Sequence, residues 1–460
     1  MSEVTAQSYE PGTHPDLPTP LLTSGPLYWI KKNLFSSWTN TILTILAFYF
    51  LWSAIPPVLD WLVIDSVTEA TNRKECKSLG SGACWAFIGE RFNILLYGFY
   101  PEAERWRVNL SFVLLILAVM PILFDDLPFR RAGLFFAAFY PFIVAWLLLG
   151  GPVWFLGGIL LLAISAVLPT VSEAPHGKAG PIWYSTLAAI VVLWITFGHG
   201  WILIGGQLLA IGILSPILFF EFERKVKMQW YGATALLTLI GFLDQSWLVM
   251  GGFGLKAVTT DQFGGMMLNT VVGVTGIAFS LPLGVVLALG RQSHLPVVRM
   301  LCVAFIEFIR GVPLITLLFV ASTMLSYFLP PGTHFDLLLR VLIMVTLFSS
   351  AYMAEVIRGG LQAIPKGQFE AGDSIGLNYW QEMRLIILPQ AMKISIPGIV
   401  NTFIGLFKDT TLVIVIGLLD ILGVGRSALA DAKWNGLSNE VYISIAIFFF
   451  ICCFSMSRYS

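Results

Sequence analysis

The sequence predicts an all-α polytopic membrane protein of about twelve transmembrane helices, and three observations carry that reading. Of 460 residues, 57% are hydrophobic and only 12% charged, with a mean hydropathy of +0.81, against about 25% charged in soluble domains. Apolar runs recur along nearly the whole chain, and a helix needs roughly 20 such residues to cross the hydrocarbon. Charges, Pro and Gly break these runs apart, as loops between spans do. Single strands leave backbone groups unsatisfied in lipid, so the runs are helices. A formal net charge of zero, with no basic stripe and interleaved aromatics, excludes nucleic acid as a partner.

Taken in order, residues 1–37 form a Pro-rich, mobile cytoplasmic tail without the basic-then-apolar pattern of a cleaved signal. Spans are expected near 38–63, 109–125, 132–149, 153–170, 182–199, 201–220 and 230–250. This region, 38–250, has almost no intramembrane charge and reads as an N-terminal transmembrane extension, a scaffold. Its long polar loop, about 65–108, contains Cys76 and Cys84 around the Gly-rich "KSLGSGA", and the two would close a disulfide if that loop faces an oxidising compartment. Cys302, Cys452 and Cys453 fall inside apolar spans and read as small buried hydrophobes. Five further spans, near 265–289, 299–329, 336–357, 395–419 and 440–457, make up a second region, 264–458, and here some spans carry ionisable groups.

Orientation follows from Lys and Arg in short loops. Alternation from an inside N-terminus puts Lys31, Lys32, Arg130, Arg131, Arg224, Lys225, Lys227 and Arg291 in the cytoplasm, together with a polar loop at 358–394. Residues 65–108 are assigned outside although they carry Arg73, Lys74, Lys77, Arg91, Arg105 and Arg107.

The loop 358–394 contains "AIPKGQFEAGDSIGLNYWQEMRLIILP". Pro365 suits the first position of a helix and Gly376 the left-handed residue that ends one. Asn378 caps a second short helix with Gln381 as reciprocal partner, and Pro389 closes it. The expected product is a hinged pair of helices presenting Glu370, Asp373, Tyr379, Trp380 and Glu382. Two readings fit it locally: a docking surface, or an amphipathic loop resting on headgroups.

The spacing Glu370-Ala371-Gly372, three residues, Gly376, nine residues, then Ile386-x-Leu388-Pro389, resembles the EAA loop of ABC importer permeases. Gly372 stands where those loops usually have Ala. The flanking "SSAYMAEVIRGGLQAIPKGQFEAG" and "LPQAMKISIPGIVNTFIGLFKDTTLV" are similar to the polar amino acid subfamily, closest to the larger permease subunit of general L-amino acid importers; the likeness covers about residues 260–460 strongly and the N-terminal spans more loosely. The resemblance implies a type I importer permease core of five helices in a bacterial inner membrane, working as a heteromeric complex. It implies a second, non-identical permease subunit, a periplasmic amino acid binding protein, and an ABC ATPase dimer that carries the ATP and Mg; this chain itself would hold no cofactor. Glu370, Ala371, Gly372, Gly376, Tyr379, Trp380, Leu388 and Pro389 would form the coupling surface for that ATPase, with Glu370 paired to a basic group on the ATPase or within the loop. A rigid short helix there can pass nucleotide-driven closure to the spans it is joined to. Similar permeases continue beyond the last span for a short basic tail, whereas this chain stops at "MSRYS", so a trimmed end is one reading.

Ionisable residues within spans are costly and mark function by default. "EFIRG" at 307–311 and "EVIRG" at 355–359 place Glu307 with Arg310, and Glu355 with Arg358, on single helix faces. Each pair can neutralise itself structurally, or Glu307, Arg310 and Glu355 can edge a transport pathway. Pro313 breaks the helical ladder mid-span, as discontinuous helices at transporter sites do. Lys408 and Asp409 lie about 13 residues, or roughly 20 Å, into the eleventh span. A zwitterionic amino acid needs one donor and one acceptor, which Lys408 with Asp409 or Glu355 could supply; a mutually satisfied pair is the alternative. Thr270, Ser350 and Asn401 complete the candidate pathway through hydrogen bonds.

There is no phosphate-binding loop, no zinc spacing among the five histidines, and no grouping of nucleophile, base and orienter. Intrinsic catalysis is therefore not expected. A gradient-driven secondary transporter would show matching halves with paired broken helices, and residues 38–250 contain no counterpart of the E-x-I-R-G phrase or of the loop.

Overall fold

The computed structural model describes residues 25–124, 126–127, 130–152, 254–324, 327 and 336–459. The expected spans at 153–170, 182–199, 201–220 and 230–250 lie outside the described residues. Among the described residues seven helices are long and apolar enough to cross a membrane, or eight if one bent pair forms a single crossing. They fall on the remaining sequence-derived spans.

Two compact units divide the chain, 1–89 and 90–460. In the first, α1 (Pro26–Leu34) and α2 (Trp38–Leu59) are separated by Ser37, whose hydroxyl accepts the Asn40 N–H and caps α2. None of the α2 residues is buried. Pro56 and Pro57 lie within α2, and the helix widens into a π-turn at Asp60–Ile64. Beyond it, α3 (Arg73–Leu79) is capped by Asn72, and its end is tied by a Cys76–Cys84 disulfide to the start of α4 (Trp85–Tyr97). Thr71 donates its hydroxyl and its N–H to the Glu75 carboxylate, which holds that group below the usual carboxylate range.

The second unit begins within α4. Helices α5 (Arg105–Leu123) and α6 (Arg130–Leu149) pack together, and β1 (Gly151–Pro152) pairs antiparallel with β2 (Gly254–Leu255), so the chain departs after α6 and returns at one place. The Tyr100 hydroxyl donates to Leu148 O at 2.8 Å and Arg107 Nη1 donates to Lys256 O at 2.7 Å, fixing both ends of that junction. Burial raises the Tyr100 phenol above its ordinary value, with Arg107 opposing.

From there run α7 (Gly265–Gln292), α8 (Pro296–Gly311), α9 (Leu314–Thr323), α10 (Leu337–Gln362), α11 (Lys366–Ser374), α12 (Tyr379–Glu382), α13 (Leu388–Asp409), α14 (Ile421–Ala428) and α15 (Ser438–Tyr459). The long helix α10 is the centre: it packs against α7 on one side and α13 on the other. One buried cluster, with Leu268, Val272, Val341, Val345 and Leu406, fills the half of this bundle away from the loop. A second, with Ile306, Met353, Ile357, Ile387 and Ala391, fills the half toward it. At Gly360 a Cβ would meet Ser395 Oγ at 2.0 Å and Ala391 O at 2.6 Å, so α10 and α13 touch through backbone there.

Candidate functional site

The polar loop is built from the two short helices α11 and α12. Pro365 is extended (φ −60°, ψ 140°), and α11 starts at Lys366, one residue later than the sequence predicts. Gly376 has φ +76°, a left-handed conformation that side chains other than glycine rarely adopt; Gly376 N–H donates to Asp373 O and Leu377 N–H to Gly372 O, closing the helix. Asn378 Oδ1 accepts the Gln381 N–H at 2.9 Å, and Gln381 Oε1 accepts the Asn378 N–H at 3.1 Å, a complete capping box.

One expectation fails here: Pro389 does not close the second helix. A π-turn at Met383–Ile387 carries the chain into α13, with Pro389 at its start, so 379–416 forms one apolar stretch. The physical reason is local. Leu388 N–H donates to Met383 O, five residues back, and the wider turn passes over the hydrogen bond that Pro389 has no N–H to make. The second half of the loop is thus the root of a membrane-crossing segment.

Exposure sorts the loop residues. Glu370, Ala371, Asp373, Gly376, Tyr379, Trp380 and Pro389 face outward, Leu388 is half-buried and Gly372 is buried. Trp380 is 70% exposed and stacks edge-on with Tyr379 at 5.3 Å between ring centroids. Glu370 makes no ion pair among the described residues. The buried acid is Glu382, packed on Gly372, where an added Cβ would lie 2.8 Å from Glu382 Cγ and 3.1 Å from its Oε1. Glycine in the third position therefore makes room for a side chain ten residues on. Glu382 Oε1 has no hydrogen-bond partner among the described residues.

Beyond the loop lies a charged seam joining α7, α8 and α10. Arg291 Nη1 donates to Glu307 Oε1 at 2.8 Å and lies 2.9 Å from Glu355 Oε1, the latter a charge contact without hydrogen-bond alignment. Arg358 donates from Nε and Nη2 to Glu355 Oε2 at 3.0 and 2.8 Å. Arg310 reaches Glu355 only at 3.7 Å and otherwise lies over the Tyr352 ring at 5.5 Å. The Glu355–Arg358 pair therefore forms within its helix, whereas Glu307 pairs with Arg291 of a neighbouring helix instead of with Arg310. With two carboxylates and three guanidiniums the seam has one surplus positive charge.

The remaining candidates are not brought together with it. Pro313 stands, with Val312, in extended backbone between α8 and α9, which bend by 100°. The Thr270 and Ser350 hydroxyls donate to Met266 O and Leu347 O of their own helices. Lys408 and Asn401 are exposed on α13, Asp409 is half-buried, and none of these three forms an ion pair with Glu355 among the described residues. Of the two acceptors the sequence offered beside Lys408 for a substrate, Asp409 adjoins it on α13, whereas Glu355 lies among three arginines.

Sequence reasoning missed three groups. Arg291 entered only as a topology marker, because its partners are distant in the chain. Glu382 looked like one more exposed loop acid; only the fold turns it inward. At the end of α7 opposite Arg291, buried Asn269 donates to Thr410 Oγ1 at 2.9 Å and accepts the Ile421 N–H, while Asp420 caps α14 through Gly423 N–H at 2.9 Å. Burial raises the Asp420 carboxyl above its usual range, against the donors from Gly423 and Asn269. The pattern D-x-x-G ahead of an apolar run was the available signal for that cap.

Comparison with known proteins places these features in a family. Residues 280–459 match the model of the binding-protein-dependent transport system inner membrane component. The glutamate/glutamine/aspartate/asparagine transport system permease protein BztC of Rhodobacter capsulatus is 45% identical over 455 residues, covering 96% of this chain and 94% of that one. The inner membrane amino-acid ABC transporter permease protein YhdY of Escherichia coli K12 is 39% identical over 449 residues, covering 97% and 95%. A shorter relative, the probable glutamine ABC transporter permease protein GlnM of Bacillus subtilis, is 35% identical over 199 residues, 43% of this chain and 87% of that one. A crystal structure of an amino acid ABC transporter with histidines covers 42% of this chain and 88% of that one at 29% identity, with a TM-score of 0.38. High identity along nearly the full length of two such relatives, together with apolar crossing helices and the matched family model, makes this chain a member of the family of inner-membrane permease subunits of amino acid ABC importers.

Proposed function

We propose that this chain translocates L-amino acids of broad range, delivered by a periplasmic binding protein, as one of two non-identical permease subunits moved by an ABC ATPase dimer. The observation that carries the ATPase contact is the exposed surface of α11 and α12: Glu370, Tyr379 and Trp380 point outward from a capped, glycine-hinged base whose underside is packed into the bundle. A rigid surface rooted directly in α13 passes any displacement to that helix without slack. ATP and Mg belong to the partner ATPase. The N-terminus and the loop lie in the cytoplasm, following the Lys and Arg distribution.

For the pathway, α13 is the favoured helix. Asn401 and Lys408, seven residues apart, share one face and are both exposed in the isolated chain. A polar face on a spanning helix is expensive toward lipid and belongs against a partner or a water-filled path. Lys408 would meet the substrate carboxylate and Asp409 its ammonium. The charged seam at Glu355 would close the loop side of that path.

The test is reconstitution of the purified complex in proteoliposomes, measuring uptake of labelled amino acids and ATP hydrolysis with and without loaded binding protein. Uptake that requires ATP, the binding protein and an intact Trp380 surface is expected. Uptake by this chain alone, driven by a proton gradient, would overturn the proposal.

A further inference from the structure

Two cavities in the second unit share a boundary. The larger, about 490 Å³, lies among α5, α6, α7 and α10. Its wall is almost entirely hydrocarbon, with Phe112, Val144, Leu148, Val274, Phe279 and Leu342 among its residues. Within it the Tyr140 hydroxyl donates to Ser111 O at 3.0 Å and the Thr270 hydroxyl to Met266 O at 2.9 Å, and its one charged lining group among the described residues, Asp336, stands at the edge toward the second cavity. Away from Asp336 the wall offers no partner for a charge, and an unpaired charge there would carry a large desolvation penalty. The volume nevertheless lies within the range of about 300–1,000 Å³ typical of small-molecule sites.

The smaller cavity, about 380 Å³, shares Thr260, Phe263 and Asp336 with the larger and adds Asp261. Asp336 accepts the Leu339 N–H at 2.9 Å, capping α10, and accepts the Thr260 hydroxyl. Asp261 is exposed and forms no ion pair among the described residues. Among the described residues neither cavity is lined by Lys or Arg. Arg107, next to the lining Val108, is held by Glu104 at 2.7 Å and by Lys256 O.

We propose that the paired cavities hold one membrane lipid with an ammonium headgroup, of the phosphatidylethanolamine class. An acyl chain occupies the apolar cavity and the ammonium lies beside Asp261 and Asp336. The chemistry at each end sets the choice. All four walls are candidate membrane spans, so hydrocarbon chains are the solvent around them. An unfilled apolar void forfeits dispersion contacts on every side, which an acyl chain restores. Two carboxylates with no counter-ion among the described residues attract a cation and repel the anionic headgroups of phosphatidylglycerol or cardiolipin. The lipid then fills the junction between the α5–α6 pair and the α7–α10 core, tying the N-terminal extension to the transporting helices.

The experiment uses the whole complex, washed in mild detergent, with retained lipid counted by mass spectrometry and exchanged in nanodiscs of mixed phosphatidylethanolamine and phosphatidylglycerol. Wild type is expected to keep about one ammonium lipid per chain. Filling the apolar cavity with Ala145→Trp and Val274→Phe removes it while the complex still elutes intact. Asp261→Asn with Asp336→Asn keeps the α10 cap, since Asn caps as well as Asp, and retains a lipid but loses its headgroup preference by about tenfold, the expected effect of removing two facing charges. If the filled variant does not assemble, the carboxamide variant decides by headgroup preference alone. Complete loss of lipid from washed wild type, equal retention in the filled variant, or equal retention of phosphatidylglycerol by wild type would overturn the proposal.

Discussion

Gly372→Ala offers a sharp test of the loop, because two local effects of known size oppose each other. Within α11 the change gains about 0.8–1.0 kcal/mol of helix propensity. Against it, the new methyl would sit 2.8 Å from Glu382 Cγ, where ordinary contact begins at 3.4 Å, so Glu382 must move by several tenths of an ångström. Glu382 is buried and its backbone is locked between the capping box and the π-turn. Overpacking of this kind costs about 1–3 kcal/mol. Gly372→Ala should therefore leave stability unchanged or lower it by up to about 2 kcal/mol, despite the better helix former. Glu382→Ala in the same chain removes the obstacle, and the double variant should recover the propensity gain. The assay is apparent melting temperature of the purified complex for wild type, both single variants and the double variant, with amino acid uptake as a parallel readout. A coupling of at least about 1 kcal/mol between the two sites is expected, well outside the 0.3–0.5 kcal/mol of independent positions. Additive effects, or a higher melting temperature for Gly372→Ala alone, would show that Glu382 does not limit the third position.

Three further outcomes follow from the geometry. Glu355→Gln leaves Arg291, Arg310 and Arg358 without their shared carboxylate and, with Glu355 only 15% exposed, should destabilise the complex by about 1–3 kcal/mol, between the values for exposed and buried pairs, while Glu307→Gln, 55% exposed, should cost under about 1 kcal/mol; denaturant melts of the two variants check the ranking, which equal losses would refute. Lys408→Met should abolish uptake and ligand-stimulated ATP hydrolysis in a folded complex, and wild-type rates would move the pathway off α13. Cys76 and Cys84 should resist maleimide labelling until a membrane-impermeant reductant is added from the outside, with the reduced loop losing roughly 2–3 kcal/mol of local stability; labelling without reduction would place that loop in a reducing compartment.

Much of this protein was legible in its letters because lipid imposes simple rules. A run of apolar residues must be helical there, so the spans near 38–63, 132–149 and 265–289 could be read almost to their ends. Local chemistry was equally readable: the Asn378–Gln381 capping box and the left-handed Gly376 depend on residues within one or two turns of each other. Pro389 misled for a related reason. Proline usually ends or begins a helix, and only a π-turn upstream lets the chain run through it.

What the tertiary structure decided was which distant groups meet. Glu307 and Arg310 share a helix face, yet the better-placed guanidinium belongs to Arg291 on another helix. Glu355 shares a helix face with Arg358, as the sequence shows, but the fold adds Arg291 and Arg310 around it. Asn269 and Asp420, about 150 residues apart, form a buried junction with no common motif. By itself the sequence determined that the chain lives in a membrane, where the crossings among the described residues fall and which loop resembles a coupling element, since hydropathy, capping and turn chemistry act over a few residues. Only the fold decided that Gly372 makes room for Glu382 and that the loop is rooted in α13, because packing and ion pairing depend on where helices from different parts of the chain come to lie.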